Sequence, residues 1–300
     1  MTARSSSTAT AFVAACLGVA LFSVMDAAMK WLVIELHVYN ALLWRNLTGV
    51  VLSGVIYALS RPVLPSRAAM RIHIWRGAVS AVMALLFFWS LAYLGLAEAI
   101  ALSFIAPLIA LYLAAVLLGE RIGRSAIIAS ILGLAGVTVI MAGKFGSGHY
   151  PPNALIGAFA VFGSAILFAY NLILARQQAQ IARPAEITFF QIVTVSIIFG
   201  CAAPWHAVLP SSAHWPTIIG ASMLAIVSLL LLSWAYARAE AQILIPVEYT
   251  AFIWAALLGW QLFDEELSWS VLAGTVLIVS GCLIAARARP QPLQVEEAFA

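Results

Sequence analysis

Apolar runs of about twenty residues, separated by short polar stretches, recur from one end of the chain to the other. The most regular lies at 87–120, FFWSLAYLGLAEAIALSFIAPLIALYLAAVLLGE, where two apolar segments meet at a Gly-Leu-Ala-Glu turn. Pro107 sits midway through the second segment, and apart from Glu98 in the turn no charge interrupts the run before Glu120. A helix needs about 20 mainly apolar residues to cross roughly 30 Å of hydrocarbon, so this stretch predicts the end of one membrane span and all of the next. The same pattern predicts spans at 11–34, 40–59, 73–94, 97–118, 125–142, 154–175, 186–205, 215–237, 242–263 and 269–286. The first run is longer than a cleavable signal segment and lacks a small-residue cleavage site, so it is read as a true span. The expected architecture is an all-α integral membrane protein of ten transmembrane helices, followed by a polar, disordered tail at 287–300.

Composition sharpens this picture. The 300 residues are 64% hydrophobic and 9% charged, with a mean hydropathy of +1.03, too much apolar surface for one water-soluble core. The net charge is only +3, and basic residues stand singly at segment ends, which excludes a nucleic-acid partner. Their placement also orients the chain. With a cytoplasmic amino terminus, Arg4, Arg61, Arg67, Arg71, Arg76, Arg121, Arg124, Arg176, Arg183, Arg238, Arg287 and Arg289 fall inside; Lys30 and Lys144 fall outside, and Arg45 lies within a span. The positive-inside rule then puts both termini in the cytoplasm. Cys16, Cys201 and Cys282 lie in three different apolar segments without metal-ligand spacing and read as buried apolar residues.

The chain also matches itself. A shift of 145 residues pairs Leu85, Leu86, Trp89 and Ala92 with Leu230, Leu231, Trp234 and Ala237, and pairs Glu120 with Glu265 and Gly136 with Gly281. A shift of 146 pairs Leu21 and Phe22 with Leu167 and Phe168, Thr48 with Thr194 and Gly54 with Gly200. Two halves, 11–142 and 154–286, each hold five spans; five is odd, so the second must lie upside down relative to the first. Inverted repeats of this kind build secondary transporters, with the substrate site near mid-membrane between the halves.

Each half closes with an apolar span, an acidic turn and a glycine-containing last helix, LLGE…GLAG up to Gly136 and LFDE…IVSG up to Gly281. In this the chain resembles the drug/metabolite transporter superfamily, in its ten-helix EamA-type branch, over residues 11–286. Within it the chain is most similar to the bacterial aromatic amino-acid exporters, a resemblance that implies export of amino acids by alternating access. One departure concerns Pro107: its counterpart is Phe252, while the second half carries Pro246 earlier, so the halves are expected to bend at different depths.

Ionisable groups inside lipid cost about 2.5 to 3.5 kcal/mol each on insertion scales, so the few present are candidate site residues. Asp26 and Lys30 lie four residues apart, on one helical face, and Arg45 enters the second span from the same side. They are expected to cluster, either to bind the ammonium and carboxylate of an amino acid or as an ion pair that makes burial tolerable. Their second-half counterparts are Leu172, Arg176 and Gln191. Glu248 follows Pro246, which opens a helix by removing a hydrogen bond, and is a candidate proton or ammonium ligand. Trp89 and Trp234 lie inside their spans and are candidates for the cavity wall, against ordinary packing, and Pro107 for a hinge. Tyr170 and Asn171 are polar at mid-span and are expected to face inward, as, more weakly, are Tyr112 and Tyr249. Glu98, Glu120 and Glu265 sit at turns and read as helix caps.

The sequence has no P-loop, HExxH or G-x-S-x-G motif and so carries no enzyme or cofactor signature of these kinds. The expected ligands are a small-molecule substrate and the bilayer. An exporter of organic cations, held by Asp26 and Glu248, and a non-transporting scaffold or sensor without a cavity are the competing readings. Small residues in the fifth and tenth spans (Ala129, Gly133, Gly136; Gly274, Ser280, Gly281) permit close helix packing, within a protomer or between protomers.

Overall fold

The computed structural model describes residues 2–60, 64–106, 109–110, 113, 124–146, 154–238, 247, 250–265 and 268–287. Pro107, Tyr112, Glu120, Pro246, Glu248, Tyr249 and the tail beyond Arg287 lie outside the described residues. What is described is helical, with no strand among the described residues. The helices are α1 (Thr2–Leu59), α2 (Arg67–Ser90), α3 (Leu96–Ser103), α4 (Arg124–Gly146), α5 (Ala154–Ile181), α6 (Pro184–Cys201), the single turn α7 (Ala203–His206), α8 (Trp215–Tyr236), α9 (Thr250–Phe263) and α10 (Trp269–Arg287).

α1 is two limbs, not one rod. His37 breaks it at φ 61 and ψ 156, a backbone conformation that costs a non-glycine residue free energy. A Nη1 of Arg45 contacts the Met25 sulfur at 3.4 Å, although twenty residues of straight helix span about 30 Å. The second limb therefore doubles back along the first. Five helices among the described residues are long and apolar enough to cross a membrane, within Thr10–Leu59, Arg67–Ser90, Ala154–Ala179, Pro184–Cys201 and Ser212–Tyr236. Their outer faces carry exposed Val51, Ile74, Phe159, Ile197 and Val227, as lipid-facing helices do and water-facing ones do not.

Local chemistry sets the helix ends. The Ser66 hydroxyl accepts from the Ala69 N–H at 3.1 Å and starts α2, while Pro184 opens α6, where its missing N–H costs nothing. Glu98 reaches back to accept from the Gly95 N–H at 3.3 Å, capping α3 as its sequence position predicted.

α1 packs along α8 and α6, α2 along α5 and α6, α3 along α9 and α4 along α10. Helices from the two halves of the sequence thus alternate in space. At the end carrying the His37 turn, here called distal, Trp44 donates to the Val208 carbonyl at 2.8 Å and the Val208 N–H donates to Asn40 at 2.8 Å. At the opposite, terminal end, Tyr57 stacks on Phe189 at 4.9 Å. Gly136 and Gly274 face each other where α4 crosses α10, each Cβ-less position filled by the other's carbonyl. This close approach of the small residues is made within the protomer.

A charged cavity between the helices

A cavity of about 320 Å³ lies between α1, α2, α5, α6 and α8, with α3 and α9 contributing Ile100, Ser103, Phe104 and Ala251. Its wall runs from Met25, Arg45 and Ser222 at mid-depth to Ala179 and Tyr236 in the last turns of α5 and α8. It therefore extends toward the terminal end, and nothing on the distal side of Asp26 in the first limb of α1 lines it.

Three charged side chains reach the wall, Asp26, Arg45 and Arg76. Asp26 and Arg45 come from the two limbs of α1 and act on each other electrostatically, but no ion pair joins them. Asp26 has no hydrogen bond to a described residue, which leaves its carboxylate for a ligand. Arg45 is steadied by the side-chain amide oxygen of Asn46 at 3.2 Å and by the Phe88 ring at 5.9 Å. The rings of Phe22, Phe87, Phe88, Phe104 and Phe168 supply the apolar part of the wall.

Lys30 leaves the expected cluster. It is 7% exposed and pairs with Glu265, in the connection after α9, and donates to the Leu94 carbonyl at 3.1 Å. Asp26 and Lys30 share a helical face, yet the rise of one turn separates a cavity residue from a distal-end one. Glu265 does cap a helix, but a distant one: its second oxygen accepts from the Leu96 N–H at the start of α3, at 2.8 Å.

The structure also separates Tyr170 from its neighbour. Asn171 is buried on the cavity wall, whereas the Tyr170 hydroxyl accepts from the indole N–H of half-exposed Trp75 at 3.0 Å, away from the cavity. Consecutive helical residues diverge by about 100°, so both could not face inward. Trp89 packs edge-on against Tyr93 at 5.5 Å, and Trp234 lies under the Arg238 guanidinium at 4.2 Å. Neither lines the cavity.

Arg76, counted among the loop arginines by sequence, is 9% exposed and sits in the cavity wall. Its Nε donates to the Asn171 carbonyl oxygen at 2.7 Å and an Nη1 donates to the Gln178 carbonyl oxygen. Asn171 in turn donates to the Ser80 hydroxyl at 3.0 Å, as does Gln191 at 3.0 Å. The other half of the Gln191 amide has no partner. Gln178 also meets His73, whose Nε2 lies 3.0 Å from Glu186. This network was missed from the sequence, although His73, Arg76 and Ser80 recur at i, i+3 and i+7 in α2, which places them on one face.

The sequence model of the EamA-like transporter family matches residues 9–142 and 155–287. The chain belongs to the EamA-like transporter family. This EamA-like chain is 26% identical over 273 residues to a pseudopaline exporter of Pseudomonas aeruginosa, covering 89% of the chain and 93% of that protein. It is 28% identical over 278 residues to a riboflavin transporter of Rhizobium johnstonii, with 89% and 87% covered. A solved crystal structure has the same fold, with a TM-score of 0.63 at 18% identity, covering 94% of this chain and 96% of the other. The protein is thus a multi-pass membrane transporter for small molecules.

Proposed function

We propose that this transporter exports small zwitterionic metabolites, amino acids including aromatic ones, across a bacterial inner membrane. The observation that carries the reading is the cavity wall, where one free carboxylate, Asp26, and two guanidinium groups, Arg45 and Arg76, share a space with phenyl rings. An α-amino acid carries the complementary ammonium and carboxylate, and an aromatic side chain matches the phenylalanines. Two guanidinium groups against one carboxylate weigh against an organic cation as cargo. A cavity of this size, within the usual range for small-molecule sites, weighs against a scaffold without a substrate. The named substrates of the two relatives, pseudopaline and riboflavin, differ from each other, so substrate choice follows the side chains of the wall.

Transport is by alternating access between two inverted five-helix repeats, 11–142 and 154–286, in ten spans. Two observations support the repeat: the family matches two stretches of nearly equal length, and Leu172 and Gln191, the counterparts of Asp26 and Arg45, line the same cavity. With the termini cytoplasmic by the positive-inside rule, the cavity extends toward the cytoplasm and the Lys30–Glu265 pair closes the periplasmic side.

The test is a competition panel in proteoliposomes, amino acids and organic cations against labelled L-phenylalanine. Inhibition by amino acids is expected; liposomes that move no amino acid would sink the substrate assignment.

A further inference from the structure

The hydrogen-bonded chain that runs from Glu186 to Arg76 can be arranged in only one way. Arginine has donors and no acceptor, so the Gln178 group facing Arg76 is its carbonyl oxygen. The Gln178 NH2 then faces His73 Nδ1, and because an NH2 only donates, Nδ1 carries a lone pair. The His73 proton is therefore on Nε2, where it is donated to the Glu186 carboxylate at 3.0 Å. Four side chains on three helices thus fix a neutral histidine in a single tautomer.

His73 is fully buried, under the Phe190 ring at 5.2 Å. Glu186, with 14% of its side chain exposed, holds the Nε2 side of the ring. Among the described residues, the charged and titratable groups around this cluster are Arg76 one turn along α2 and Glu186 on α6. Tyr57 of α1 interacts with Glu186, and Tyr236 of α8 interacts with Arg76.

Adding a proton changes one link and, through it, the next. A proton taken from solution by Nδ1 makes an imidazolium, still paired through Nε2–H with Glu186. Nδ1–H now points at the Gln178 NH2, donor against donor, until the amide turns over and presents its carbonyl oxygen to the ring. That turn places the NH2 against Arg76, whose Nη1 loses its acceptor while its Nε keeps Asn171. A buried guanidinium without an acceptor is costly, and the cavity is where a replacement arrives.

We propose that His73, its Nε2–H held by Glu186, is a proton-binding site whose occupancy releases Arg76 to bind a substrate carboxylate. Proton and carboxylate then bind together from the terminal side, each strengthening the other by the same factor. The carboxylate rests on the amino-acid reading above; the proton site does not. Gln178 acts as a positioning residue that carries the change between them.

Two measurements separate these parts. Ring-15N histidine NMR of the full chain in lipid nanodiscs, assigned with His73→Asn, is expected to show the neutral Nε2–H tautomer of His73 at about pH 8, above the ordinary range of imidazole titration. Gln178→Glu places an obligate acceptor opposite Nδ1, so this variant is expected to show a proton on His73 Nδ1 in the same spectrum. An Nδ1–H tautomer in the wild type, or an Nδ1 left without a proton in Gln178→Glu, overturns the proton site. In proteoliposomes, the KM for L-phenylalanine on the cavity-open side should fall about tenfold between about pH 8 and pH 6. The ratio of the two KM values should be flat in His73→Asn, whatever its absolute rate. A pH-independent wild-type KM overturns the link to Arg76. No phenylalanine flux at either pH overturns the amino-acid reading, and the NMR titration still decides the proton site.

Discussion

Lys30 and Glu265 form an ion pair across 235 residues of sequence, at the distal end of the bundle. With the bonds from Lys30 to the Leu94 carbonyl and from the Leu96 N–H to Glu265, it staples the α2–α3 connection and the end of α9 onto the first limb of α1. Truncating one partner strands the other charge in a buried site, a loss of about 3 to 5 kcal/mol. Lys30→Met and Glu265→Leu are each expected to lower the melting temperature of the detergent-purified protein markedly. The double variant should lose much less than the sum. Additive losses in this double-mutant cycle would show that the two charges do not depend on each other.

Asp26 presents its carboxylate to the cavity without a bonded partner among the described residues. Asp26→Asn is therefore expected to raise the KM for L-phenylalanine about tenfold, the loss of one charge-assisted hydrogen bond. Competition by 3-phenylpropionate, which lacks the ammonium group, should be unaffected or improved. Equal loss of affinity for both compounds would mean that Asp26 serves the fold and not the ammonium.

Neighbouring residues on α5 give opposite expectations. Tyr170→Phe removes only the bond from Trp75 and should leave the KM within about twofold of wild type, the usual reach of a surface change. Asn171→Ala frees Arg76 and Ser80 together and should alter both affinity and its pH dependence. Transport kinetics of the pair, measured at two pH values, decides this.

Gly136 and Gly220 respond differently to an added methyl group. A Cβ at Gly136 would come within 2.5 Å of the Gly274 carbonyl oxygen, whereas one at Gly220 meets nothing within 4 Å. Gly136→Ala pushes α4 from α10 and is expected to cost about 1 to 3 kcal/mol. Gly220→Ala should be neutral or stabilising by up to about 1 kcal/mol. Melting temperatures in detergent test both.

Hydropathy made the helices legible, because crossing lipid demands long apolar runs and little else competes with that demand; the family was legible in the acidic turn and glycine-containing last helix that close each half. Asp26, Arg45 and Asn171 were also legible, since a charge or amide in an apolar run needs an inward-facing reason. Their partners were not. A sequence places Asp26 and Lys30 on one face of a helix, but whether they meet depends on how far along that face the cavity reaches. Arg76 looked like a loop arginine because it follows three others near a helix start; only the depth of α2 in the bundle brings it to the cavity wall.

The sequence by itself determined an all-helical membrane protein and a short set of polar side chains that lipid would not tolerate. Tertiary structure decided which of them share a space: Asp26 with Arg45 and Arg76, Lys30 with Glu265, and His73 with Glu186. The physical reason is one of range. Hydropathy acts on each segment separately, whereas a hydrogen bond is set to a few tenths of an ångström, and that precision exists only once helices from both halves have packed.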